Sequence, residues 1–124
     1  MPRHFISSDR SLYNALRRHK IGRRTATRLQ NLYSLEGYTE WRIDELATAG
    51  GLTILTPDCN AEKVREIVGG LEEGTACVTY PLLGCPRRAL CRELIKAHRS
   101  MSAEKPRMML YFARTDLRKQ HIRI

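Results

Sequence analysis

Glycine and proline cut this chain into short pieces. Gly22, Gly37, Gly50-Gly51, Gly69-Gly70 and Gly84 recur along it, and Pro57, Pro81 and Pro86 add further breaks. Glycine is the usual exit from a helix and proline cannot continue one. Whatever folds between these points is short. No apolar run approaches the roughly 20 residues that span a bilayer, so no membrane partner is expected. Met1-Pro2-Arg3-His4-Phe5-Ile6 lacks the apolar stretch of a secretory leader. The expected compartment is the cytoplasm.

Between the breaks, apolar residues recur at helical spacing. Leu12, Ala15, Leu16 and His19 share one side of a segment over 9–20, with Ser8-Asp9 placed to cap it. Ala26, Leu29 and Leu32/Tyr33 make a second stripe from Thr25. Ile43, Leu46 and Ala47 make a third behind Thr39, with Trp41 as a packing residue. Thr56-Pro57-Asp58 has the cap, proline and acid of a helix start and leads through Val64, Ile67 and Val68. Leu52–Leu55 reads as a strand fragment or an extended linker. Beyond Gly70 the character changes. Thr75–Tyr80 alternates like a strand. Pro86 opens a fifth helix, with Ala89, Leu90, Leu94, Ile95 and His98 on one face. Ser100–Pro106 reads as a polar loop, Met108–Phe112 as a second strand, and the region from Arg118 as a basic tail.

The fold expected from this pattern is α+β and mainly helical. A four-helix, helix-hairpin-helix-like bundle over 1–73 would carry a small β-α-β element over 74–124, packed as one structural unit.

Charge is sorted along the chain. Residues 1–35 hold eight Lys/Arg and one acid, a net of +7. Residues 36–73 hold three Lys/Arg and nine acids, a net of −6, and residues 74–124 hold eleven and three, a net of +8. These sum to the formal +9. Basic stretches of this density are the usual footprint of phosphate binding. Arg17, Arg18, Lys20, Arg23 and Arg24 form the densest cluster, with only Asp9 as a nearby acid. Like charges at helical spacing destabilise their own helix, a cost that an anionic partner removes. Arg87, Arg88, Arg92, Lys96 and Arg99 crowd the fifth helix, where Glu93 cannot neutralise them all.

No catalytic constellation appears: the chain has no G-x-S-x-G, H-E-x-x-H, P-loop or dinucleotide fingerprint. No cofactor is expected. Cys85-x5-Cys91-x6-His98 lacks the tight knuckle of a structural zinc site. The four cysteines, with Cys59 and Cys77, are expected to be free thiols and no metal site is expected.

Tyr13-Asn14-Ala15-Leu16-Arg17-Arg18-His19-Lys20-Ile21 and Asn60-Ala61-Glu62-Lys63-Val64-Arg65-Glu66-Ile67 together resemble the C-terminal domain of the bacterial RNA polymerase alpha subunit, over about 8–72. The resemblance implies a helix-hairpin-helix domain that inserts the start of its first helix and its hairpin into the DNA minor groove, mainly through backbone phosphates. It implies that Asn14 contacts DNA, that Arg17 matches a basic residue, and that Lys63 replaces a Ser at the backbone. The family's key Arg falls on Ser11 here, and its hairpin Gly on Asn60.

The expected function is a small non-enzymatic nucleic-acid-binding protein, a DNA-binding regulator of transcription. Its expected site is Asn14, Arg17, Arg18, Lys20, Arg23, Arg24, Lys63, Arg87, Arg88 and Arg92, with Asn14 as the base reader. Two alternatives remain. One is an inhibitor of phage type that presents Glu36, Glu40, Asp44, Glu45 and Glu62 to a nucleic-acid-handling protein complex. The other is an RNA-binding accessory protein. The sequence leaves the oligomeric state open.

Overall fold

The structure, a computed structural model, describes residues 10–80 and 84–123. It divides into two compact units, one ending at Tyr38 and one beginning at Thr39.

The first unit is a pair of helices, α1 (Ser11–Arg18) and α2 (Arg23–Leu35). Leu12, Ala15 and Leu16 of α1 and Ala26 and Leu29 of α2 are buried, as their spacing predicts. The connection is four residues long, His19 to Gly22. Lys20 takes the left-handed conformation at φ 64, and Ile21 is buried beside it. The Ile21 N–H returns to the Leu16 carbonyl at 3.1 Å, which closes α1. The buried Gln30 locks the pair: its Oε1 accepts from the Tyr13 N–H at 2.9 Å. The cap expected from Ser8-Asp9 lies outside the described residues. Arg10 stands at the N-cap of α1 and makes no side-chain cap bond.

The second unit is built on one mixed sheet. Its strands are β1 (Glu40–Ile43), β2 (Gly51–Leu55), β3 (Ala76–Thr79), β4 (Met101–Lys105), β5 (Met108–Phe112) and β6 (Gln120–Arg123), in the spatial order β1-β2-β3-β5-β4-β6. Only β5 runs against the others. Helix α3 (Ala61–Gly69) links β2 to β3, and α4 (Gly84–Ala97) links β3 to β4. Both pack on the same core: Val64, Ile67 and Val68 of α3 and Leu90 and Cys91 of α4 close over Leu55, Cys77, Met109 and Tyr111. The Tyr111 hydroxyl donates to the Cys91 carbonyl at 2.8 Å.

This is an α/β fold, and it corrects the mainly helical α+β bundle with a small β-α-β appendage. The third helix is the main error. Residues 40–43 form β1, parallel to β2 with Glu40 opposite Gly51 and Ile43 opposite Ile54. Apolar residues at 43, 46 and 47 mimic a helical stripe, but Trp41 and Ile43 suit a strand, and the pairing gives the β2 edge a hydrogen-bonding partner. The connection back to β2 is unusually short for a parallel pair. The buried Thr53 hydroxyl holds it, donating to the Glu45 carbonyl at 2.8 Å and accepting from the Ala47 N–H at 2.9 Å. Gly51 fits beneath it, since a Cβ there would lie 2.7 Å from the Ala47 Cβ and 2.9 Å from the Thr48 carbonyl oxygen. The residues read as a polar loop, 100–106, carry β4, and the expected basic tail carries β6. Residues 39–73 thus share a sheet with 74–124. The expected break at Pro81 lies outside the described residues.

Candidate nucleic-acid interface

Helix α2 turns one uninterrupted stripe outward. Ala26, Leu29 and Gln30 face the core, and Arg24, Thr27, Arg28 and Asn31 recur at i, i+3, i+4 and i+7 on the opposite side, all exposed. Arg23 is exposed at the start of the same helix. The local electrostatics are unfavourable for α2 alone. Its first turn holds two arginines and no acid, and Gly22 supplies no side-chain cap. Cations at a helix N-terminus and a like-charge i,i+4 pair each cost a few tenths of a kcal/mol to about 1 kcal/mol. Among the described residues, no carboxylate pairs with Arg18, Lys20, Arg23, Arg24 or Arg28. Among the described residues, a Cβ at Gly22 would meet nothing within 4 Å.

Helix α1 adds exposed Asn14, Arg17 and Arg18. Arg17 is partly engaged, donating from Nη1 to the Ile21 carbonyl at 3.1 Å. Arg10 stacks over the Tyr13 ring, 4.1 Å from its centroid. Asn14, Arg17, Arg18, Lys20, Arg23 and Arg24 therefore fall on one two-helix unit. Lys63 belongs to the second unit, in the first turn of α3, where its N–H donates to Asn60 Oδ1 at 2.8 Å. Reading the sequence missed Thr27, Arg28 and Asn31. The spacing from Arg24 was the available signal.

Arg87 and Arg88 of α4 are committed to partners, and Arg92 in part. Arg87 donates to the carbonyls of Pro57 and Cys59, tying α4 to the connection after β2. Arg88 Nη1 and Arg92 Nη2 both reach Oε2 of Glu104 on β4, at 2.8 and 3.0 Å, and Arg88 also donates to the Pro106 carbonyl. Glu104 is only 6 % exposed. Its other oxygen, Oε1, faces His121 Nε2 at 3.0 Å and Arg123 at 4.0 Å. Burial opposes ionisation of this carboxyl, but the hydrogen bonds from Arg92 and His121 and the nearby guanidinium charges outweigh it and hold it below the usual carboxylate range. The sequence signal for Glu104 was scarcity, because the C-terminal block has three acids among eleven cations.

Ser102 Oγ lies 2.8 Å from His121 Nδ1, which completes a hydroxyl–imidazole–carboxylate row. The carboxylate of this row is shared with two guanidiniums, and Ser102 is 1 % exposed. The row holds β6 to β4.

The five acids of the alternative reading fall at the end of α2, on β1 and its connection to β2, and on α3. Glu36 follows α2. Glu40 on β1 is bound by Arg42 and Thr48, and those hydrogen bonds lower its carboxyl below the ordinary value. Asp44 is consumed by Thr56. Glu45 and Glu62 are exposed, on the β1–β2 connection and α3.

Cys59, Cys77 and Cys91 are free and buried, and burial pushes the thiols of Cys59 and Cys77 up. The side chain of Cys85 lies outside the described residues. Among the described residues, no group of three His, Cys, Asp or Glu side chains is placed to hold a metal, and no helix is long and apolar enough to cross a membrane. Compared with protein-family models, curated proteins and solved structures, the chain has no match in any of the three.

Proposed function

We propose that this protein binds duplex DNA through α1 and α2, as a non-catalytic regulator of transcription. One observation carries the reading: α2 presents Arg24, Thr27, Arg28 and Asn31 as a single outward stripe on a helix clamped to its neighbour by a four-residue turn. A turn of three or four residues between two helices is one ingredient of the helix-turn-helix, whose second helix enters the major groove. The side chains suit that groove. Arginine forks onto guanine O6 and N7, asparagine onto adenine N6 and N7, and the threonine methyl packs on that of thymine. Arg18, Lys20 and Arg23 would take flanking phosphates, which orient the protein without reading sequence. Asn14 and Arg17 join that flanking set. Base reading passes from Asn14 to Arg24, Arg28 and Asn31. The deep, narrow major groove of an RNA duplex excludes a helix, so the reading is of DNA.

The test is duplex-DNA affinity measured by fluorescence anisotropy across a salt series. With about six phosphate contacts, log K falls against log salt with a slope of roughly −5. A flat response, or equal affinity for an RNA duplex of the same sequence, removes the reading.

A further inference from the structure

We infer that the sheet unit carries a second phosphodiester-binding surface of its own, organised by Glu104. Three guanidiniums, from Arg88 and Arg92 on α4 and Arg123 on β6, gather on this one carboxylate. Arg88 and Arg92 stand one helical turn apart and share the same oxygen, an arrangement that like-charge repulsion disfavours. The β4–β5 turn is fastened to Arg88 through the Pro106 carbonyl. Three guanidiniums thus meet at one acid, and among the described residues no other carboxylate joins them.

Glu104 is filled by its partners, but the guanidiniums are not. Arginine has five donors. Arg92 spends one on Glu104, and Arg123, at 4.0 Å, lies beyond hydrogen-bond distance from it. Their side chains are 49 % and 73 % exposed. The forks of Arg88 and Arg92, hydrogen-bonded to a buried carboxylate, match phosphate oxygens, and holding them beforehand removes part of the ordering cost of binding. The partner is the backbone of a nucleic acid. The inference rests on the proposed function only for the choice of DNA over other phosphodiesters.

The experiment compares the full chain with Arg92→Gln/Arg123→Gln and with Arg24→Gln/Arg28→Gln, by anisotropy on specific and scrambled duplexes. Arg123 lies beyond hydrogen-bond distance from Glu104 but Arg92→Gln removes one of its hydrogen bonds, so unchanged circular dichroism with a lowered melting temperature is expected. Should the circular dichroism change, Arg123→Gln alone takes the pair's place, with a slope shallower by about 1. The first pair should lower affinity for both duplexes alike and make the salt slope shallower by about 2. The second pair should lose the preference for the specific duplex. An unchanged slope in the first pair overturns this inference and leaves the α2 reading standing; the opposite pattern overturns the α2 reading alone. Inorganic phosphate that removes the difference at constant ionic strength would assign the surface to free phosphate. Tighter binding of poly-glutamate, with the same dependence on Arg92 and Arg123, would assign it to acidic protein. Either result also overturns the inference.

Discussion

Both oxygens of Asp44 are taken by Thr56: Oδ1 accepts from its N–H and Oδ2 from its hydroxyl, each at 2.7 Å. Asp44 sits just past β1 in the left-handed region at φ 59, and Thr56 just past β2. The pair fastens the carboxyl ends of the two parallel strands. Asp44→Ala removes two hydrogen bonds to a charged acceptor and places a residue less tolerant of positive φ there. The expected loss is about 3 kcal/mol, read as a lower urea midpoint with unchanged m.

Glu104 makes the protein acid-labile. Its folded value lies below its unfolded value of 4.5, so its contribution is complete above 4.5 and is lost as pH falls through the lower folded value. Stability measured from pH 6 to pH 2 should drop in that window. Glu104→Gln should flatten the drop. It should also cost about 3 kcal/mol at pH 7, because removing one partner leaves crowded guanidiniums uncompensated. A variant with the wild-type acid profile would refute this.

Gly51 should not accept alanine. The added methyl would need the Ala47 Cβ and the Thr48 carbonyl to move, in a connection held by Thr53. We expect a loss of about 2 kcal/mol, the range seen for overpacking, in thermal or denaturant melts. Gly22→Ala meets no neighbour and should be nearly neutral for folding.

The outward stripe of α2 predicts a division of labour. Arg28→Ala and Asn31→Ala should each cost about 1–3 kcal/mol on the preferred duplex, with far less effect on a scrambled one. Arg18→Gln and Arg23→Gln should weaken both duplexes and make the salt slope shallower by about 1 each. Selected-sequence enrichment with each variant is the measurement. Equal losses on every sequence from Arg28→Ala would remove its base-reading role.

Much of the helical layer was legible. The stripes of Leu12/Leu16, Ala26/Leu29, Val64/Ile67 and Leu90/Leu94 all lie on helices, because a helix satisfies its backbone within its own segment. Strands β3 and β5 announced themselves through apolar, β-branched or aromatic runs. Strands β1, β4 and β6 did not. Met101-Ser102-Ala103-Glu104-Lys105 looks like a loop because its buried face holds a serine and a carboxylate. Those are acceptable inside only because His121, Arg88 and Arg92 arrive from elsewhere in the chain. The site divided in the same way. The basic cluster stood in the sequence, and so did the stripe of Arg24, Thr27, Arg28 and Asn31 opposite Ala26 and Leu29; the commitment of Arg87 and Arg88 to distant partners did not.

By itself the sequence determined the apolar stripes of Leu12/Leu16, Ala26/Leu29, Val64/Ile67 and Leu90/Leu94, and that its two ends are cationic around an acidic middle; the stripe at 43, 46 and 47 misled. The tertiary structure alone decided that residues 40–43, 101–105 and 120–123 are strands, and which arginines are committed to partners. The reason is non-locality. Glu40 finds Gly51, Ser102 finds Tyr111 and His121, and Glu104 finds Arg88 across stretches of chain that no local pattern records.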